Sequence, residues 1–179
     1  MVLFEIIPLS PETYRQQTRR STLIVAATFA VLAMGLSALA VALFREPGGD
    51  NLRLNIAGVV AGLAVTIGLV RGLYWRQPWM AAAVYGWQLK RSLMRVTNKM
   101  HQVKAGVADG DLDAIKLLRF YHLGLTQMHQ LDGNSHGLSD SVAEIDRHRE
   151  RMEALNLDID QPCLQSEWLQ RVGQIEAQR

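Results

Sequence analysis

The chain has 179 residues, 19 Lys and Arg, 17 Asp and Glu and a formal net charge of +2 at pH 7. These totals are typical of an ordinary soluble domain, but they average an almost wholly apolar region with a polar region of helical pattern. The single cysteine, Cys163, excludes an intramolecular disulfide and therefore the disulfide framework of a small secreted protein.

Residues 1–22 form a short N-terminal segment that ends in the start of a helix. Ser10 is a suitable N-cap, Pro11 fits the first helical position, and Glu12 complements the positive end of the helix dipole. We expect this helix to continue without interruption into the apolar stretch that follows.

Two long apolar runs, at 23–44 and 54–75, are separated by a short polar turn at 45–53. The hydrocarbon core of a bilayer is about 30 Å thick and needs about 20 apolar helical residues. Pro47, Gly48 and Gly49 favour a chain reversal between the runs. Residues 23–76 are therefore predicted to form a transmembrane helical hairpin.

The distribution of Lys and Arg predicts the orientation of this hairpin. Residues 1–22 carry three Arg, residues 71–104 carry seven basic and no acidic residues, and the turn is neutral. The positive-inside rule places both termini in the cytoplasm and the turn outside. Basic and aromatic side chains are expected at the interface and its lipid headgroups. They are Arg15, Arg19, Arg20, Arg71, Tyr74, Trp75, Arg76, Trp79, Lys90, Arg91 and Arg95.

Small residues in the second apolar run predict how its helix packs. Gly58 and Gly62, and then Gly68 and Gly72, have the four-residue spacing that lets helix backbones approach closely in lipid. The close approach could be within the hairpin or between two copies of the chain, and the sequence leaves both open.

Residues 77–179 are predicted to form a cytoplasmic helical domain, which makes the fold all-α, with no strand pattern. Pro78 should break the chain at the membrane exit, and helices are expected at 79–107 and 112–131. Asp109 or Asp111 can cap the second of these helices. A capping box at Ser141 and Glu144 predicts a helix to about residue 155, and a short helix is expected from 162 or 166 to about 177.

Residues that could carry chemistry are sparse. His122 and His129 lie on one helical face, but seven-residue spacing separates them by about 10 Å and does not form a metal site unaided. A pair of Cys163 with a histidine is weak evidence for a nucleophile. There is no phosphate-binding loop, dinucleotide fingerprint or hydrolase motif. No cofactor, metal or small-molecule substrate is indicated, and lipid is a better partner than nucleic acid for the basic residues.

Five stretches of the chain resemble a known family. They are 11–15 (PETYR), 42–50 (ALFREPGGD), 77–80 (QPWM), 85–98 (YGWQLKRSLMRVTN) and 116–128 (KLLRFYHLGLTQM). They are similar to an uncharacterised family of small inner-membrane proteins of pseudomonads and related bacteria, known as a domain of unknown function. The resemblance implies a bacterial inner-membrane location and carries no known activity, cofactor or catalytic residue.

These patterns favour a non-enzymatic inner-membrane protein with a cytoplasmic domain that binds another protein or a second copy of itself. One alternative is an accessory subunit of a membrane transporter or an envelope-assembly complex. Another is a metal-dependent enzyme that uses His122 and His129.

Overall fold

The computed structural model describes residues 1–45 and 50–175, apart from the side chains of 135–140. This part of the chain is mostly helical, as predicted. The predicted turn residues Pro47, Gly48 and Gly49 lie outside the described residues, as does the expected end of the last helix. The elements are β1 (Val2–Glu5), α1 (Pro11–Phe44), α2 (Leu52–Gly72), α3 (Ala81–Thr97), α4 (Met100–Asp109), α5 (Leu112–Asp132), α6 (Ser135–Ala154), β2 (Cys163–Gln165) and α7 (Ser166–Val172).

The chain divides into two compact units. Unit 1 combines Met1–Arg15 with Tyr85 and the residues that follow it, and unit 2 is Gln16–Val84. The boundaries fall inside α1 and inside α3. Unit 2 is thus inserted in sequence between two segments that fold together.

Two helical stretches, Pro11–Phe44 and Leu52–Arg76, are long and apolar enough to cross a membrane, and unit 2 contains the first from Gln16 onward and the whole of the second. In their most apolar 18-residue windows, only 6% and 17% of the residues are buried. At about 1.5 Å per residue, the 21 residues of α2 extend about 32 Å. Few residues of these windows are therefore buried within the described part of the chain.

The predicted break at Pro78 is confirmed. After α2, a 3₁₀ turn covers Tyr74–Arg76, Gln77 is extended, and a second 3₁₀ turn covers Pro78–Met80 before α3 begins. The extended backbone of Gln77 is expected, because proline disfavours the helical conformation in the residue before it.

Helix α5 is the centre of unit 1 and packs against α4, α6 and α7. The predicted helix at 112–131 is confirmed. Asp111 is its N-cap, with Oδ1 accepting a hydrogen bond of 2.8 Å from the backbone N–H of Ala114. Gly133 ends it in the left-handed conformation, at φ 70°, which glycine adopts without steric cost. Because α5 is enclosed on several sides, Ala114, Ile115, Leu117 and Phe120 are fully buried and Leu118 is 5% exposed.

The single helix predicted at 79–107 is wrong, because it is interrupted. Helix α3 ends at Thr97 and α4 begins at Met100, with a turn at Asn98 and Lys99. Val96 and Val103 are both completely buried on either side of this turn. The apolar pattern therefore continues across the break and does not reveal it.

The predicted helix start at Ser141 is also wrong, since α6 begins at Ser135. Gly133 terminates α5, and the backbone N–H of Asn134 donates to the carbonyl oxygen of His129. The chain then re-enters a helix at once, so that Ser141 and Glu144 are interior positions of α6 rather than its cap.

A two-stranded antiparallel sheet corrects the expectation that the fold has no strands. β1 and β2 pair through Phe4 with Leu164 and Glu5 with Cys163, with an irregularity between Val2 and Phe4. Strands of four and three residues are too short to show an alternating pattern. Their pairing also joins segments far apart in sequence, which local propensities do not report.

Candidate functional site

A cavity of about 560 Å³ in unit 1 is lined by one face of α5. The spacing of three and four residues places Arg119, His122, Thr126 and Gln130 along this face. The remaining walls come from the segment after β1, from α6 and from the segment before β2. Their lining residues are Ile6, Pro8, Ile145, Asp146, Arg149, Asp160 and Pro162.

Arg119 is the buried charge of this cavity, with 8% of the residue exposed. Its Nε donates a hydrogen bond of 2.7 Å to the carbonyl oxygen of Ile159. Burial, followed by the nearby Arg149, lowers the pKa of Arg119 from its ordinary value. A guanidinium nevertheless stays protonated in proteins, so Arg119 places a permanent positive charge in the cavity wall.

His122 and His148 form a buried pair beside Arg119. Their ring centroids lie 5.2 Å apart at an interplanar angle of 82°. The Nε2 of His148 lies 3.0 Å from the carbonyl oxygen of Ile115, so the neutral ring donates from this nitrogen. Burial, followed by the neighbouring His148 and Arg119, lowers the pKa of His122 to about 3. The pair is therefore uncharged at neutral pH.

The Nδ1 of His122 is a buried nitrogen for which the described residues provide no hydrogen-bond partner. Buried polar atoms are almost always satisfied, so an exception calls for a physical explanation. At neutral pH this imidazole can donate from one nitrogen and accept at the other, but it adds no charge to the cavity.

The charged residues at the mouth of the cavity are exposed. Asp146, Arg149 and Asp160 all lie at the surface. The Nε of Arg149 also donates a hydrogen bond of 2.9 Å to Glu153 on the next turn of α6. Exposed pairs of this kind contribute little energy, since water and salt screen them.

The structure does not bring the two sequence-predicted histidines together in this cavity. His129 is half-buried on α5 and is not among the lining residues, whereas His148 from α6 contacts His122. Among the described residues there is no group of three His, Cys, Asp or Glu side chains that could hold a metal ion.

The glycines of α2 have two different environments within unit 2. A Cβ on Gly62 would lie 2.7 Å from the Cα of Ala33, and one on Gly58 would overlap the backbone of Ser37. The Oγ of Ser37 donates a hydrogen bond of 2.8 Å to Asn55. By contrast, nothing among the described residues lies within 4 Å of a Cβ built on Gly68 or Gly72.

The residues predicted for the membrane interface lie in both units. In unit 2, the ring of Tyr74 packs edge-on against the ring of Trp79, with 5.1 Å between the ring centroids. The hydroxyl oxygen of Tyr74 lies 3.2 Å from the hydroxyl oxygen of Thr28. Trp75 is half-buried. Arg19, Arg20, Arg71 and Arg76 are exposed. In unit 1, Arg15 is half-buried, Lys90 forms an ion pair of 3.0 Å with Asp132, and Arg91 lies 4.9 Å above the ring of Trp87. Arg95 is exposed.

Sequence reasoning missed Arg119 and His148 as site residues. The signal for Arg119 was weak, because the mainly apolar stretch from Ile115 to Phe120 also contains Lys116 and its pattern does not single out Arg119. His148 had no comparable signal, since charged residues surround it in sequence.

A family model matches residues 4–169, from β1 into α7, and its description is "Protein of unknown function (DUF3087)". The chain belongs to this family. The expected membership of an uncharacterised family is thus confirmed, and the match includes residues of both units. No significant match was found among curated proteins or among solved structures.

Proposed function

We propose that this member of the DUF3087 family is a non-enzymatic protein of the bacterial inner membrane. In this proposal α1 and α2 span the bilayer as a hairpin within residues 23–76, and both termini are cytoplasmic. The N-terminal segment and residues 77–179 then form a cytoplasmic scaffold that binds another protein or a second copy of the chain.

The exposure of the two apolar helices carries this proposal. A helix in the core of a soluble protein passes the same test of length and composition, but it is mostly buried. Here only 6% and 17% of the residues in the most apolar windows of the two helices are buried. Apolar surface left in water costs about 25 cal/mol per Å² relative to burial, whereas lipid removes that cost.

The pairing of β1 with β2 supports the proposed topology. These strands precede and follow the two apolar helices, yet they hydrogen-bond to each other within unit 1. β1 and β2 can pair only if they lie on the same side of the bilayer, and two membrane spans return the chain to the side on which it started. The exposed Arg19, Arg20, Arg71 and Arg76 would then meet anionic headgroups on the same side.

The topology can be tested by cysteine labelling in intact cells. In a Cys163→Ser background, we expect Asp50→Cys to react with a membrane-impermeant maleimide, and Gln170→Cys to react only after the membrane is disrupted. Both positions are exposed, so that accessibility within the fold is matched. Labelling of Gln170→Cys in intact cells, or recovery of the protein in the soluble fraction, would refute the proposed anchor.

A separate experiment tests the partner. Gly68 has no neighbour within 4 Å among the described residues, so it is available for close approach by another helix. We expect chemical crosslinking in cells to give a specific adduct that Gly68→Leu removes. Gly35→Leu is the control, because its glycine is equally uncovered but lies on α1. Recovery of only the monomer would contradict the scaffold role.

A further inference from the structure

We infer that the cavity beside α5 is a binding site for a small oxyanion, a ligand with one phosphate or carboxylate group that pairs with the guanidinium of Arg119. Nothing in the sequence pattern pointed to a small ligand. The inference is independent of the proposed membrane topology, since it concerns unit 1 alone.

Arg119 carries a buried positive charge without a direct ion pair in the described part of the chain. The residue is 8% exposed, and the described residues place no carboxylate within 4.0 Å of its nitrogens. Its hydrogen-bond partner is a neutral carbonyl oxygen, that of Ile159. The carboxylates of Asp160, Glu153 and Asp146 favour its charged form from beyond that distance, and a buried charge without a direct ion pair remains unfavourable. An oxyanion would supply the counter-charge and could accept hydrogen bonds from the planar guanidinium.

The size and lining of the cavity suit a small organic anion. Its volume of about 560 Å³ lies within the range of about 300–1,000 Å³ that is usual for small-molecule sites. Thr126 and Gln130 continue the polar face of α5 beyond His122 and can hydrogen-bond a ligand. Ile6, Pro8 and Pro162 provide an apolar wall opposite, against which the remainder of a small organic anion can pack.

The charged groups that line the cavity favour a ligand with one anionic group. The carboxylates of Asp146 and Asp160 are at the exposed mouth, where water screens their repulsion of an anion. The deeper groups are Arg119 and His122, and the latter is neutral because its pKa is lowered to about 3. One buried positive charge matches one anionic group, which favours a ligand with a single phosphate or carboxylate group over one with several.

Isothermal titration of the full-length protein in detergent at pH 7.5 tests this inference, with inorganic phosphate and propionate as the probes. Ionic strength is held constant with chloride. We expect saturable binding of at least one probe. Arg119→Lys should weaken binding by about tenfold, because lysine keeps the charge but loses the planar pair of donors.

A second variant keeps the experiment informative if Arg119→Lys does not fold. Thr126→Phe should fill the cavity while leaving the link from Arg119 to Ile159 in place, and we expect it to weaken binding by about tenfold or more. Arg147→Gln, an exposed change on α6 outside the cavity, should bind like the wild type. The inference is overturned if neither probe binds the wild type, or if Thr126→Phe binds as tightly as Arg147→Gln.

Discussion

The neutral histidines beside Arg119 make the stability of unit 1 dependent on pH. His122 is 3% exposed and His148 is 6% exposed, and burial lowers the pKa of both rings. An unfolded chain binds a proton at each ring as the pH falls through about 6.5, whereas folded His122 does not until about pH 3. The unfolded state therefore binds more protons between these values, and acid favours it.

We predict that the free energy of unfolding falls by about 2 kcal/mol from His122 alone when the pH is lowered from 6.5 to 5. Above about pH 7.5 the ring is neutral in both states and contributes no pH dependence. His122→Phe removes this contribution, so its free energy of unfolding should fall by about 2 kcal/mol less than that of the wild type over the same pH interval. Urea unfolding in detergent, followed by tryptophan fluorescence, to which the buried Trp168 contributes, measures this change.

His101→Phe is the matched control, because His101 is exposed and the change should leave the pH profile as in the wild type. An identical slope in the wild type and in His122→Phe would show that His122 is charged or accessible in the folded protein.

Two glycines of α2 allow a matched test of helix packing. Gly62→Leu places side-chain atoms where the backbone of Ala33 already lies, whereas Gly72→Leu meets nothing among the described residues. Overpacking of this kind typically costs about 1–3 kcal/mol, and a backbone neighbour cannot move aside easily. We expect Gly62→Leu to unfold at lower SDS concentration than the wild type and Gly72→Leu to unfold near the wild-type midpoint. Equal midpoints for the two variants would exclude the contact with α1.

At the scale of elements, the start of α5 is set by a single side chain. Asp111 caps this helix, while Asp109 lies at the end of α4 and is exposed. We predict that Asp111→Ala lowers the stability of the protein by about 1 kcal/mol, whereas Asp109→Ala, which removes the same charge, changes it by much less. Thermal unfolding of the two variants at one pH distinguishes loss of the cap from loss of charge; equal effects would argue against the cap.

The elements that the sequence predicts well have strong local signals. Helices α1, α2 and α5 follow from long apolar runs, from a proline and from an N-cap. The turn at Asn98 and Lys99 was missed because buried residues keep the same spacing on both sides of it. The short strands were missed because each is stabilised by a partner at the other end of the chain.

The candidate site was predictable only in part, for a related reason. His122 could be recognised as a candidate on α5, but its contact with His148 depends on how α5 and α6 pack. The cavity likewise requires Ile6 and Pro162 to meet α5, and tertiary contacts of this kind leave no periodic signal in the sequence.

At the scale of the whole molecule, unit 1 is completed by residues from both sides of the apolar helices. Cys163 in β2 pairs with Glu5 in β1 and is half-buried. Burial, followed by Glu5 and Asp160, raises the pKa of the Cys163 thiol. Because the thiolate is the reactive form, both the shielding and the raised pKa slow its alkylation. The alkylation rate of Cys163 therefore reports whether β1 is paired with β2.

We predict that deleting residues 2–5 raises the rate of maleimide labelling of Cys163 by roughly tenfold at neutral pH. Leu3→Ser is the control, since this side chain is exposed and the strand pairing should survive the change. Mass spectrometry of the detergent-solubilised protein follows the reaction. A deletion that labels as slowly as Leu3→Ser would show that β1 does not protect β2.

The antiparallel pair also imposes an order on biosynthesis. The ribosome makes β1 before the two apolar helices and β2 after them, with roughly 160 residues between the strands. At about 5–20 residues per second, β1 waits roughly 10–30 s for its partner. During that interval the hydrogen-bonding edge of β1 is unpaired and open to other chains. A nascent polypeptide that stalls before Cys163 leaves this edge unpaired.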